Sequence, residues 1–109
     1  MKFDIYTTHY GTGDSSLHPY KTVDNIKSAM RIGYALVDEK NVSGVTISVG
    51  NWIVGTVKKE KDYSVPNGKT MKYFYNGYLD NKRFLGHVYN KYVLKGDGTL
   101  GKGVGKPIR

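Results

Sequence analysis

Residues 42–58, VSGVTISVGNWIVGTVK, constrain the fold most because they contain the complete pattern of a β-hairpin. Apolar residues alternate with other residues on both sides of Gly50-Asn51, and glycine at the first central position favours a type II′ turn. This turn predicts a register in which Val49 lies opposite Trp52, Ile47 opposite Val54, and Val45 opposite Thr56. One face of the hairpin is then almost wholly apolar, so the rest of the chain must cover it.

Residues 22–40 are predicted to supply that cover as an amphipathic helix. Thr22 is a candidate N-cap, and Asp24 places a favourable negative charge in the first turn. The apolar stripe repeats at three- and four-residue spacing and contains Val23, Ile26, Met30, Gly33 and Val37. Such an arc suits a helix laid across a sheet. Residues 2–8 alternate like a half-buried strand, so this strand, the helix and the hairpin also permit a right-handed parallel βαβ unit.

Two more strands are predicted after the hairpin. Residues 69–75 have strand propensity throughout, and residues 83–94 are the favoured return strand after a loop over 76–82. A tight turn at Asn76-Gly77 is the alternative. The sequence therefore predicts one α+β domain over residues 1–94, in the order β-α-β-β-β-β, with a single helix packed on one face of a mostly antiparallel sheet. Residues 95–109, rich in glycine and lysine, are predicted to form a flexible tail.

Composition excludes several classes of protein. The chain has 109 residues and no cysteine, which fits one domain without disulfides or thiolate chemistry. Its three histidines, His9, His18 and His87, are dispersed, and no carboxylate pair stands out, so we expect no metal site, no cofactor and no catalysis. Without an apolar membrane-length run or secretory signal, a cytoplasmic protein with no membrane partner is expected.

Two glycine-rich stretches resemble phosphate-binding loops only in part. Residues 11–16 lack the Gly-Lys-Ser/Thr ending of a P-loop, and GDGTLG at 96–101 is not followed by a helix. Neither stretch therefore predicts a nucleotide site. Residues 9–20 are predicted to form a loop long enough to be functional, but a simple connection that crosses the sheet edge is the favoured interpretation.

Charge is unevenly distributed. The formal net charge is +8. Residues 1–57 carry five basic and five acidic side chains, whereas residues 58–109 carry 12 basic and 4 acidic side chains. Such asymmetry indicates a polyanionic partner, either nucleic acid or an acidic protein surface. Ordinary solubility is the alternative explanation.

Aromatic and basic residues interleave in the second half, as in sheet surfaces that bind single-stranded nucleic acid or RNA. The predicted nucleic-acid-binding residues are Lys69, Lys72, Tyr73, Tyr75, Tyr78, Lys82, Arg83, Tyr89 and Lys91. Strand alternation prevents all of them from sharing one face: Tyr73 and Tyr75 cannot face the same way as Lys72 and Phe74, so part of the set must belong to the core. Non-catalytic nucleic-acid binding is therefore the first hypothesis for function.

Two further functions are compatible with this sequence. The first is a protein-binding inhibitor or adaptor, because a cysteine-free composition rich in Lys, Tyr, Asn and Gly is typical of phage or mobile-element proteins that act on host machines. The second is binding of a small anionic ligand such as a nucleotide. The sequence leaves the oligomeric state open, a homodimer included.

Overall fold

The computed structural model describes residues 1–10, 18–61, 67–78, 81–85 and 89–107, without the side chains of Arg83 and of residues 105–107. Within these ranges the helical segments are α1 at Ile26–Leu36 and the single turn α2 at Lys82–Leu85. The strands are β1 (Phe3–His9), β2 (Lys21–Val23), β3 (Val42–Val49), β4 (Trp52–Lys61), β5 (Thr70–Asn76), β6 (Tyr89–Leu94) and β7 (Leu100–Pro107). In the described ranges, no helix has the length and hydropathy needed to cross a lipid bilayer.

The strands form one sheet in the order β2-β1-β3-β4-β5-β6-β7, and neighbouring strands are antiparallel. The predicted α+β class, with one substantial helix and an antiparallel sheet, is confirmed. The alternative parallel βαβ unit is wrong, because the short strand β2 reverses the chain before α1 begins. Helix α1 thus connects β2 to β3, with β1 lying between those two strands.

Helix α1 is shorter than the predicted span of 22–40. Thr22 belongs to β2, where it pairs with Asp4, and the true N-cap is Asn25, whose side chain accepts a hydrogen bond from Ser28 N at 2.8 Å. The helix begins later than predicted because pairing with β1 takes residues 21–23. Its buried residues, Ala29, Met30, Gly33 and Leu36, pack on the sheet.

The hairpin of β3 and β4 forms where it was predicted, but its register changes after the second pair. Gly50 has φ +57° in the turn, and Val49 lies opposite Trp52 as expected. A β-bulge then makes Val54 an extra residue in β4. The predicted partners are wrong beyond this point: Ile47 lies opposite Gly55, and Val45 opposite Val57.

The segment predicted to be a flexible tail contains β7, which pairs with β6 and forms one edge of the sheet. A turn with Gly98 at φ +89° connects the two strands, and Lys95 N donates to the Thr99 carbonyl at 3.0 Å. A β-carbon at Gly103 would lie 2.3 Å from the Tyr89 ring. Glycine in this segment therefore makes room for a packed aromatic ring.

The core lies between one sheet face and α1 with α2. Strand residues buried there are Phe3, Ile5, Val45, Ile47, Val57, Phe74, Tyr92 and Leu94. Alternation directs the neighbouring side chains to the opposite face, here called the open face, because no helix packs on it in the described part of the chain.

Candidate nucleic-acid interface

The predicted binding residues lie in several places rather than on one surface. Their positions follow: Tyr73, Tyr75 and Lys91 on the open face; Lys69 and Lys72 in a groove beside α1; Tyr78 next to Trp52; Lys82 and Arg83 in α2; and Tyr89 against Tyr92. The side chain of Arg83 lies outside the described residues. The structure therefore brings three of the predicted side chains together on the open face.

Strand β5 explains this division. Phe74 is completely buried, opposite Val57, so Tyr73 and Tyr75 on either side of it point to the open face. Lys72 shares the face of Phe74 and points towards α1, where its Nζ donates to the Tyr34 carbonyl. Alternation along residues 72–75 predicted this arrangement correctly.

Strand β4 adds two residues that are not among the predicted binding residues. Lys58 lies opposite Tyr73, and Glu60 lies opposite Met71. The strand continues to Lys61, so both side chains reach the open face. No local signal places them, because residues 58–61 are all charged and show no apolar alternation. We call Lys58, Glu60, Tyr73, Tyr75 and Lys91 the Tyr/Lys cluster.

Lys91 is at the centre of the Tyr/Lys cluster. Its Nζ lies 4.0 Å from the ring centroid of Tyr73, 5.1 Å from that of Tyr75, and 3.1 Å from Oε2 of Glu60. Lys58 Nζ lies 5.6 Å from the Tyr75 centroid, and the Tyr75 hydroxyl donates to Oε1 of Glu60. The tyrosine rings are thus framed by two ammonium groups at cation–π distance.

Hydrogen bonds and burial shift the pKa values of three groups in this cluster. The Tyr75 hydroxyl lowers the pKa of Glu60 below 4.5, against the opposing effect of burial, and Lys91 adds to the lowering. Burial, together with the bond to Glu60, raises the pKa of Tyr75 above 10.0. Burial alone would lower the pKa of Lys91, but its bonds to Tyr75 and Glu60 raise it above 10.5. At neutral pH Glu60 is therefore negatively charged, Tyr75 neutral and Lys91 positively charged.

A second exposed surface, the aromatic tip, lies at the turn between β3 and β4. Trp52 and Tyr78 meet edge to face with their ring centroids 5.4 Å apart, and a groove of about 490 Å³ lies beside them. Val49 and Asn51 complete its uncharged lining among the described residues. Tyr78 is 42% exposed beside Trp52, so the tip presents an accessible aromatic surface and is a candidate contact site.

Comparison with known proteins found no matching family model, no matching curated protein and no matching solved structure. The functional argument therefore depends on the geometry of these surfaces.

Proposed function

We propose that the protein is a non-catalytic binding protein that holds single-stranded nucleic acid, DNA or RNA, on the open face of its sheet. The observation that carries this proposal is the pair of tyrosines on β5, Tyr73 and Tyr75, with Lys91 Nζ 4.0 and 5.1 Å from their centroids. Sheet-borne aromatic rings flanked by cations stack bases and contact phosphates at the same time.

The tyrosines supply the stacking part of the proposed interface. Tyr73 and Tyr75 are two residues apart on one strand and therefore share a face, about 7 Å from each other along the chain. Lys91 covers the Tyr73 ring in the free protein. A base that stacks on Tyr73 would displace this ammonium, which then becomes available to a neighbouring phosphate.

The lysines supply the electrostatic part. Lys58 and Lys91 outnumber the one carboxylate of the cluster, Glu60, and all the net positive charge of the chain lies in the half that contains them. Glu60 shares its oxygens between Tyr75 and Lys91, so its negative charge is largely compensated inside the cluster. The surface offered to a polyanion is therefore positive overall.

Fluorescence anisotropy of labelled single-stranded DNA, single-stranded RNA and duplex DNA tests the proposal at two salt concentrations. Single strands should bind more tightly than the duplex, and Tyr73→Leu should weaken their binding by about tenfold, as expected for one lost stacking interaction. Lys58→Gln with Lys91→Gln should weaken binding further and reduce its salt dependence.

Matched controls lie elsewhere in the molecule. Tyr20, an exposed tyrosine before β2, is the control for Tyr73, and Lys27 with Arg31 on α1 is the charge-matched control for Lys58 with Lys91. Binding that falls equally in the cluster variants and in the control variants would contradict the open-face interface.

The aromatic tip favours a second candidate function, binding of a protein by an inhibitor or adaptor. Trp and Tyr are enriched at the energetic centres of protein interfaces, and the described residues that line the groove of the tip are uncharged. Affinity capture from a nuclease-treated lysate tests it with Tyr78→Ser, which removes an exposed ring from the lining of the groove. A protein held stoichiometrically by the parent and lost with Tyr78→Ser supports this function, and equal recovery by both contradicts it.

A further inference from the structure

A groove of about 530 Å³ lies between the end of α1 and the helix side of β4 and β5. It is separate from the Tyr/Lys cluster, because successive residues of β4 and β5 alternate between the two faces of the sheet. Among the described residues, three lysines line it, Lys59, Lys69 and Lys72, against a single carboxylate, Asp38. The groove is therefore positively charged.

Lys72 is a fixed cation in this groove. Its side chain is only 12% exposed, and its Nζ donates to the Tyr34 carbonyl at 2.7 Å and to Asp38. The same ammonium lies 3.7 Å from the centroid of the Tyr34 ring. A charge held by a carbonyl, a carboxylate and a ring is already oriented before any ligand arrives.

Asp38 occupies a position between two lysines. One carboxylate oxygen accepts from Lys72, and the other accepts from Lys59 at 3.2 Å. The bond from Lys72, opposed by burial and aided by Lys59, lowers the pKa of Asp38 below 3.8, so the carboxylate is charged at neutral pH. Two ammonium groups that share one carboxylate are close enough to share one oxyanion.

We propose that this groove binds a phosphate group, with Asp38 acting as an internal anion that holds the lysines in place until the ligand displaces it. Lysine is a common phosphate-binding residue, and charge-assisted bonds from several ammonium groups favour a dianion or polyanion over a single carboxylate. The Asp38 side chain is 55% exposed, so it can turn into solvent when phosphate enters. Lys69 then contributes a third positive charge to the ligand.

The phosphate has two chemical sources, a free oligophosphate ligand or the backbone of a nucleic acid. Both present tetrahedral oxyanions to the same lysines. The proposal does not depend on nucleic-acid binding by the open face, because none of the groove residues belongs to the Tyr/Lys cluster.

Calorimetric titration with inorganic tripolyphosphate, together with amide chemical-shift mapping, tests the groove directly. Shifts should concentrate near Asp38, Lys59 and Lys72. Lys59→Gln with Lys69→Gln should weaken binding by about tenfold, equivalent to one lost charge-assisted hydrogen bond or more. Asp38→Asn should strengthen binding several-fold, because it removes the competing anion while keeping the shape of the side chain.

Lys58→Gln is the matched control, because Lys58 precedes Lys59 on the same strand but faces the open side of the sheet. It should leave tripolyphosphate binding unchanged. Three outcomes would overturn the proposal: no binding at millimolar tripolyphosphate, equal weakening by Lys58→Gln and Lys59→Gln, or weaker binding by Asp38→Asn. Circular dichroism of each variant confirms that the fold is kept.

Single-stranded oligonucleotides then separate the two phosphate sources. If the groove variants weaken tripolyphosphate and oligonucleotide alike, the groove accepts backbone phosphates; if they weaken only tripolyphosphate, it accepts a free ligand. If only the Tyr73 and Lys58/Lys91 variants lose oligonucleotide binding, the open face binds the oligonucleotide without the groove. The two proposals therefore succeed or fail separately.

Discussion

Gly55 lies where the ring of Phe74 crosses β4, and we expect this position to tolerate no side chain. A β-carbon there would lie 2.2 Å from Cζ of Phe74 and 2.4 Å from the Tyr75 carbonyl oxygen, which is backbone and cannot turn away. Gly55→Ala should therefore lower the free energy of unfolding by about 3 kcal/mol. Urea denaturation measures the change.

Gly44 on the neighbouring strand is the control for this substitution. A β-carbon at Gly44 would lie 3.5 Å from both Thr56 Cγ2 and the Val57 carbonyl oxygen, which is ordinary contact. Gly44→Ala should change stability by less than about 0.5 kcal/mol. Equal losses in the two variants would show that the cost arises from strand glycines in general rather than from the Phe74 ring.

Glu60 makes the stability of the Tyr/Lys cluster depend on pH. Its pKa in the folded protein is lowered from 4.5, chiefly by the Tyr75 hydroxyl, so the unfolded chain takes up a proton more readily. The stabilisation is complete above pH 4.5 and is lost as the pH falls through the lower folded-state pKa. Urea midpoints measured from about pH 7 to about pH 3 should decline less in Glu60→Gln than in the parent.

Exposed Glu39 serves as the charge-matched control for Glu60. Glu39→Gln should follow the acid decline of the parent. If Glu60→Gln also follows it, the carboxylate contributes nothing to acid stability and its bonds to Tyr75 and Lys91 do not form in solution.

At the scale of elements, Asn81, directly before α2, connects the start of this helix to the bulge of β4. Asn81 is completely buried; its Nδ2 donates to the Val54 carbonyl and to Asn76 Oδ1, and its Oδ1 accepts from Trp52 Nε1 at 2.8 Å. Asn81→Ala removes these hydrogen bonds from a buried site and should cost about 3 kcal/mol. Thermal or urea unfolding measures the loss, and Trp52 fluorescence reports the local change.

Exposed Asn90 provides the comparison for Asn81. Asn90→Ala should leave the unfolding midpoint within the error of the parent. An Asn81 variant that behaved in the same way would show that the hydrogen bonds of Asn81 contribute nothing to stability.

The elements differ in how well their own residues predict them. The β3–β4 hairpin was predictable because alternation and a Gly-Asn turn are both local signals. The bulge at Val54 was not, since the two-residue turn alone predicts unbroken pairing along both strands. β2 has only three residues and β7 is rich in glycine, so neither carries a local pattern that identifies a strand.

The candidate site was predictable to the same limited degree. Alternation placed Tyr73 and Tyr75 together and separated them from Lys72, because that inference needs one strand only. Glu60 and Lys91 are 31 residues apart and meet through the pairing of β5 with both neighbours. No local pattern contains that pairing, so the full cluster required the sheet order.

For the whole molecule, β7 should be an integral part of the sheet rather than a dispensable tail. Leu100 pairs with Leu94, and the Tyr89 ring lies over Gly103. Deletion of residues 100–109 exposes the edge of β6 and should lower the urea midpoint, and Gly103→Ala should do the same through its clash with Tyr89. Lys102 is exposed on the same strand, so Lys102→Ala is the control and should leave the urea midpoint unchanged. If the deletion and Gly103→Ala also leave the urea midpoint unchanged, β7 contributes nothing to stability.

The salt dependence of binding distinguishes a local interface from the general attraction of a molecule with net charge +8. If Lys58 and Lys91 make the phosphate contacts on the open face, log K for single-stranded nucleic acid should fall with log salt at a slope of about −1.4, or about 0.7 per neutralised phosphate. Lys58→Gln should then reduce the slope by about 0.7. Participation of every excess positive charge would instead give a slope of about −5.6 that a single substitution hardly changes. Anisotropy titrations over a series of salt concentrations measure this slope. A slope of about −5.6 would assign binding to the net charge of residues 58–109 as a whole rather than to the Tyr/Lys cluster.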